Sequence, residues 1–217
     1  MILLGIDTCG ATGSVALGRV ADDGLELLGQ TELAGGEYAS LLVNAIAGLM
    51  EDAGVTPARL GGIVVVAGPG SFTGIRIGLA TAKALAEAAG LKVVTVSRLA
   101  LLAEAARTPC AVLDAHRGQV YCGIYEAGQT ARESLLTAGE INAMGGLPQP
   151  VGVCEEAVAQ LVEMLLEAEP IRVTAPTAGD ALRFGLTLWQ AGEFADVASL
   201  DGCYLRGADA KLTARPG

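Results

Sequence analysis

The feature that most constrains how this chain can fold is a pattern that occurs twice. Ile2-Leu3-Leu4-Gly5-Ile6-Asp7 is an apolar run ending in an acid. Thr8-Cys9-Gly10-Ala11-Thr12-Gly13 follows as a turn, then Ser14-Val15-Ala16-Leu17-Gly18-Arg19-Val20 as a second strand-like run. Midway along, Cys110-Ala111-Val112-Leu113-Asp114 also ends in an acid, and Ala115-His116-Arg117-Gly118 turns into Gln119-Val120-Tyr121-Cys122-Gly123-Ile124-Tyr125. Both units read as strand, aspartate, tight turn, antiparallel strand. Their recurrence implies two lobes built on one plan, which 217 residues can accommodate.

The intervening segments fill in an α/β pattern. Leu25 to Glu32 reads as a third strand. Tyr38 to Ala53 is helical, with Leu41, Leu42, Ala45, Ile46, Leu49 and Met50 on one face and Gly54 as its stop. Ile63-Val64-Val65-Val66-Ala67 is wholly apolar and β-branched, as a strand covered on both faces would be. A long Ala-rich helix spans about Thr73 to Ala89, closed by Gly90. Lys92 to Val96 is a strand, and Ser97 caps a helix reaching about Ala106. Further on, helices are expected at Glu155 to Ala168 and Asp180 to Ala191, with a short strand at Ile171 to Thr174. Pro148 and Pro150 mark a turn, and Thr213 to Gly217 has the look of a loose tail.

The segment Gly68-Pro69-Gly70-Ser71-Phe72-Thr73-Gly74-Ile75-Arg76-Ile77-Gly78 and its continuation to Ala84 is the most informative stretch. Ser71 or Thr73 can cap the helix, and Gly74, Gly78 and Ala82 recur every four residues along one ridge. Glycine inside a helix costs about 1 kcal/mol relative to alanine. Such a ridge therefore implies close approach of another backbone, either from the chain's own core or from a partner; the reading favoured from pattern is a partner. As a phosphate loop the segment is weak: it lacks G-x-x-x-x-G-K-[ST], and Lys83 lies too far along the helix. The two aspartate turns are the better candidates for a nucleotide, through Asp7, Thr8, Gly13 and Asp114. The reading favoured over a nucleotide is that each aspartate caps its own hairpin turn.

Composition narrows the functional classes. There is one histidine, His116, so neither H-E-x-x-H nor a two-histidine zinc site can be built. No G-x-S-x-G elbow is present. The net charge of −10 disfavours this chain as the main grip on RNA. Five scattered cysteines without a C-x-x-C pair read as free thiols in the core. No apolar run reaches the roughly 18 residues of a membrane span. The start of the chain lacks the basic n-region of a signal peptide, so a cytoplasmic protein is expected.

Gly68 to Gly78 closely resembles the signature of the TsaB (YeaZ) family. Gly5-Ile6-Asp7-Thr8 with Ser14 to Leu17 looks like that family's first hairpin. Asp114 to Tyr121 is similar to its second, and Tyr204-Leu205-Arg206 to its C-terminal motif. The resemblance implies the two-lobed actin-like ATPase fold shared by acetate and sugar kinases, Hsp70 and actin, with duplicated ribonuclease H-like lobes. The expected boundaries are an N-lobe of 1–106, joined by the segment 200–217, and a C-lobe of 107–199. It also implies a non-catalytic scaffold subunit in the formation of threonylcarbamoyladenosine on tRNA next to the anticodon. The partners implied are a TsaD-like catalytic paralogue, a TsaE-like ATPase and, when alone, a second copy. The tRNA would be met through the complex, no membrane would be involved, and no cofactor would be intrinsic, with Mg-ATP entering only in the assembled complex. The interface expected from ridge and resemblance together is Ser71, Phe72, Thr73, Gly74, Arg76, Ile77, Gly78 and Ala82, with Tyr38 and Leu42 on the preceding helix. The competing expectation is a small-molecule kinase or ATPase of the same fold, using Asp7 and Asp114 with Mg-ATP. Peptidase chemistry is not expected with one histidine. Departures from the family pattern are His116 in place of a common Arg, Tyr38 where the first long helix often begins with His, and Cys9 in place of a smaller residue.

Overall fold

The computed structural model describes residues 1–22, 24–125 and 131–206. These residues form two units, Met1–Arg98 with Thr177–Cys203, and Leu99–Pro176 with residues 204–206. The tail expected at Thr213 to Gly217 lies outside the described residues, as does most of the segment expected to join the N-lobe.

The first unit contains β1 (Ile2–Asp7), β2 (Gly13–Ala21), β3 (Gly24–Leu33), β4 (Leu60–Val66) and β5 (Lys92–Val96), in the order β3-β2-β1-β4-β5. The second contains β6 (Cys110–Asp114), β7 (Gln119–Ile124), β8 (Arg132–Thr137), β9 (Val151–Val153) and β10 (Ile171–Arg172), in the order β10-β9-β6-β7-β8. In each unit the first three strands form an antiparallel meander, and the fourth and fifth add parallel to the first. Both sheets thus have the same strand order and directions. The repeated hairpin is the visible trace of a duplicated lobe.

The wholly apolar strands are explained by covering on both faces. On one face of the first sheet lie α1 (Tyr38–Asp52) and α2 (Phe72–Ala89). On the other lies α6 (Ala178–Ala191), and alternate residues of β1 meet the two sides. A Cβ at Gly5 would come within 2.7 Å of the Ala178 carbonyl, whereas one at Gly78 of α2 would meet Ile6 at 3.6 Å. In the second unit β6 alternates likewise. Cys110 and Val112 pack with Val158 and Val162 of α5 (Glu156–Leu166), while Ala111 and Leu113 pack with Leu99 and Leu102 of α3 (Arg98–Ala106). All five cysteines are free thiols, and Cys110 and Cys122 place their sulfurs 3.8 Å apart in that core.

Two expectations about organisation are corrected. Helix α6 was assigned to the C-lobe but packs on the first sheet, and residues 99–106, assigned to the N-lobe, pack in the second unit. An amphipathic pattern says which face of a helix is buried and nothing about which sheet buries it. Strands β8 and β9 and the short helix α4 (Ala138–Ala143) were not foreseen. β8 carries Arg132, Glu133 and Ser134 on an edge, and β9 has three residues, so neither has a readable period.

Helix α6 is tied to the first sheet by a bond from a distant part of the chain. Ser14 of β2 presents its Oγ to the Ala178 amide at 2.8 Å, and both groups are buried. Helix N-termini leave amides without helical partners, and Ser14 supplies one from outside the helix. Replacing Ser14 with Ala should lower stability by about 1–3 kcal/mol, because the amide would be left buried and unpaired. Chemical denaturation followed by the fluorescence of Trp189, which sits on α6, would register that loss.

Candidate functional site

Helix α2 begins at Ser71, whose Oγ accepts from the Gly74 amide at 3.2 Å, and ends at Gly90 with φ 65°. Its glycine ridge is sealed against the β1–β2 turn of its own unit. Thr8 Oγ1 donates to the Gly74 carbonyl at 2.7 Å. A Cβ on Gly74 would lie 1.9 Å from the Thr8 carbonyl oxygen, and one on Gly78 would lie 2.4 Å from Thr8 Oγ1. Ala82 has no exposed surface. The expectation that Gly74, Gly78 and Ala82 are bare so that a partner can approach is therefore corrected. The close backbone that glycine admits is the chain's own turn.

Tyr38 and Leu42 are corrected for the same reason. Tyr38 is buried with its hydroxyl donating to the Gly10 carbonyl at 2.9 Å, and Leu42 is 1% exposed. The other expected interface residues do face outward. Ser71, Phe72, Thr73 and Arg76 are exposed and Ile77 is half-buried. Phe72 keeps 52% exposure, and the Arg76 guanidinium lies 3.7 Å above its ring. On α1, Val43 is 63% exposed, with Ala39 and Ala47 exposed on the same side. Helices α1 and α2 pack side by side, so these residues share one surface of the first unit.

The first aspartate turn is enclosed. Asp7 and Thr8 are each 1% exposed. Asp7 Oδ1 accepts from the Cys9 amide at 2.8 Å, and the Cys9 thiol donates to the Val66 carbonyl at 3.3 Å. Gly13 is needed for packing: a Cβ there would meet the Asp7 carbonyl and the Tyr38 ring, each at 2.7 Å. Burial pushes the Asp7 carboxyl above its ordinary range, and the charge of Arg98 and the Cys9 amide pull it back in part. The same burial pushes the Cys9 thiol well up, which makes it inert.

The second aspartate turn, in the other unit, is open. Asp114 Oδ1 accepts from the His116 amide at 2.7 Å, matching the Asp7–Cys9 bond. Asp114 Oδ2 lies 3.0 Å from His116 Nδ1, whose side chain is 85% exposed, and Glu155 accepts from the Asp114 amide at 2.6 Å. His116, Arg117 and Gly118 are all left-handed, with φ of 58°, 57° and 73°. Arg206 steadies this turn by donating to the carbonyls of Ala115 and His116. Each aspartate thus caps its own turn. No group of three metal-ligating side chains occurs among the described residues.

Sequence reasoning missed Arg98. It is 7% exposed at the start of α3, and its guanidinium lies over Gly10. One signal was available: a cation in the first turn of a helix opposes the helix dipole, so it is placed there for some reason other than helix stability.

Two predictions follow from this packing. Gly74→Ala should cost about 1–3 kcal/mol through overpacking against backbone, whereas Ala84→Gln on the exposed side should cost less than about 1 kcal/mol. Denaturation midpoints of the two variants, measured on the isolated chain, provide the comparison. The second concerns Asp7, which is harder to ionise in the folded chain than in the unfolded one. Its stabilising share is complete below the ordinary value of 3.8 and is lost as pH rises toward the raised value. Asp7→Asn keeps an acceptor for the Cys9 amide and cannot ionise. Its stability relative to the parent should therefore rise with pH above 3.8, as read from denaturation at a series of pH values.

Comparison with known proteins places this architecture. Residues 31–198 match the family model described as TsaD, tRNA N6-adenosine threonylcarbamoyltransferase. The chain is 36% identical over 132 residues to the tRNA threonylcarbamoyladenosine biosynthesis protein TsaB of Bacillus subtilis, covering 58% of this chain and 56% of that one. It is 29% identical over 202 residues to a tRNA N6-adenosine threonylcarbamoyltransferase of Rhodopseudomonas palustris, covering 85% and 54%. The chain spans about half the length of these two curated relatives. The solved structure of YeaZ from Pseudomonas aeruginosa superposes with a TM-score of 0.74 at 25% identity, over 94% of this chain and all of that one. No described helix is long and apolar enough to cross a membrane. The duplicated 3-2-1-4-5 sheets are those of the actin-like ATPase fold with ribonuclease H-like lobes. With a family match over most of its length, the chain belongs to the TsaD family, and it is similar to TsaB in sequence and to YeaZ in fold.

Proposed function

We propose that this chain is a non-catalytic scaffold subunit in the formation of threonylcarbamoyladenosine on tRNA, and that it docks onto a TsaD-like paralogue through the outer surface of α1 and α2. The observation that carries this reading is a pair of large apolar side chains left outward on these two packed helices, Val43 63% exposed on α1 and Phe72 52% exposed on α2. Large apolar side chains grouped on one face of a unit mark an interaction surface. Arg76, stacked on Phe72, is a residue type enriched at binding hot spots, and the pair supplies a compact anchor. The ridge glycines contribute indirectly. By seating α2 closely on the sheet, they fix the surface that Phe72 and Arg76 present.

The aspartate turns support the same reading. Each aspartate is already committed to an amide in its own turn, and Asp7 is enclosed by protein. With a net charge of −10, the chain would leave the tRNA to its partner. In the absence of that partner, the same surface would bring two copies together.

The test is association with a purified TsaD-like protein, followed by size-exclusion chromatography with light scattering. The parent chain should form a stable heteromer. Phe72→Asp or Val43→Asp should weaken it by about tenfold or more while leaving the thermal midpoint nearly unchanged, since a truncated hot spot costs about 2 kcal/mol or more. An undiminished complex in both variants would place the interface on another surface.

A further inference from the structure

Asp201 and Gly202 lie in an irregular stretch of the first unit, between two tethers. Upstream, the Lys83 ammonium donates to the Ala198 carbonyl at 2.8 Å, and Asp196 accepts from the Ala198 amide and the Ser199 hydroxyl. Downstream, the Cys203 amide donates to the Ala67 carbonyl at 2.7 Å. Asp201 itself is exposed, and residues 201–204 belong to no helix or strand. No ladder of hydrogen bonds therefore resists rotation of the main chain between the tethers.

The carboxylate of Asp201 is bonded differently from those of Asp7, Asp114 and Asp196. Each of those three accepts from the amide two residues on, at 2.8, 2.7 and 3.2 Å. Such a bond commits the carboxyl to a nitrogen that cannot close a five-membered ring with it. Asp201 Oδ1 instead accepts from the amide of the very next residue, Gly202, at 2.7 Å. A carbon–oxygen bond is about 1.2 Å long, so that nitrogen sits within roughly 4 Å of the Asp201 carboxyl carbon. It is the nitrogen whose attack on that carbon closes a five-membered imide. Its residue is glycine, so no Cβ crowds the approach and the backbone turns freely.

We propose that the Asp201–Gly202 peptide is a site of spontaneous main-chain isomerisation, which makes this chain a substrate for an isoaspartyl carboxyl methyltransferase. The Gly202 nitrogen bonds to the Asp201 side-chain carboxyl carbon, and its proton leaves with the carboxyl hydroxyl as water. Water then opens the imide at either carbonyl. Opening at the side-chain carbonyl restores aspartate. Opening at the main-chain carbonyl routes the chain through the side chain and frees an α-carboxylate. One water is lost and one regained, and nothing is oxidised or reduced. The product carries an extra main-chain carbon close to the Cys203 tether. Its new carboxylate oxygen is the group that takes a methyl from S-adenosylmethionine, with the thioether as leaving group. The site is independent of the docking surface, so its failure would leave that reading untouched.

The experiment incubates the folded full chain at neutral pH in heavy-oxygen water, digests it in ordinary water, and separates the peptides by chromatography with mass spectrometry. A second peptide containing Asp201 should grow with time, differing from the first by elution and by one heavy oxygen. The incubated chain should also accept methyl groups from S-adenosylmethionine when the methyltransferase is added. Asp201→Glu keeps the charge but would need a six-membered ring, so the second peptide should be lost. The chain has another Asp-Gly pair, Asp23–Gly24, which serves as control. Asp23→Glu should leave the second Asp201 peptide in place. An Asp201 peptide that stays single, or a second one without heavy oxygen, would overturn the proposal. So would methyl acceptance that is undiminished in Asp201→Glu.

Discussion

The contact on which the first unit depends is the seating of α2 on the β1–β2 turn. The Thr8 hydroxyl donates to the Gly74 carbonyl at 2.7 Å, and the missing Cβ of Gly74 is what lets the Thr8 carbonyl come so near. From that seat the neighbouring positions follow. Ser71 reaches the Cys9 carbonyl, Cys9 reaches Val66 of β4, and Tyr38 of α1 reaches the Gly10 carbonyl. Three elements, α1, β4 and α2, thus converge on Thr8, Cys9 and Gly10. A turn held in this way cannot open without disturbing β4, α1 and α2 together.

This arrangement divides α2 between two tasks. Gly74, Gly78 and Ala82 face the turn and sheet, while Phe72 and Arg76 face outward. The sequence showed correctly that something must approach the small residues closely. It could not show whose backbone that is. A glycine at helical spacing reports the distance of its neighbour and not its identity, and Thr8 lies 66 residues away in the chain. The outward residues Phe72 and Arg76 were named from the resemblance to the TsaB (YeaZ) signature and not from the helical period.

Much of the fold was legible because both lobes begin with the same hairpin. Elements with a full period were read to within a few residues: β5 and β6 at Lys92–Val96 and Cys110–Asp114, and α2 with its Gly90 cap. What failed was assignment across distance. Helix α6 returns to the first sheet through Gly5, Gly62 and Gly185, where absent side chains make room for Ala178, for Trp189 and over Val64. Each of these glycines looks, in sequence, like an ordinary weak point of a strand or helix. Arg98 escaped notice because a lone arginine after a helix-capping serine resembles a surface residue, and only the packing shows it enclosed.

The two aspartate turns show how one local motif can acquire two different environments. Asp7 and Asp114 end equivalent strands and accept equivalent amides two residues on, at 2.8 Å and 2.7 Å. The hydrogen bond is therefore a property of the hairpin and not of a ligand site. What differs is the cover. Glycines at 70 and 74 bring a loop and helix down onto the first turn, and burial then works against the charge on Asp7. The second turn instead projects His116 and Arg117 outward in left-handed conformations, leaving the Asp114 side chain 37% exposed and paired with His116. An enclosed acid beside a buried guanidinium has little freedom to hold a metal ion, because a metal would add a second cation where Arg98 already stands. Duplication of the hairpin has therefore not duplicated the environment of its aspartate.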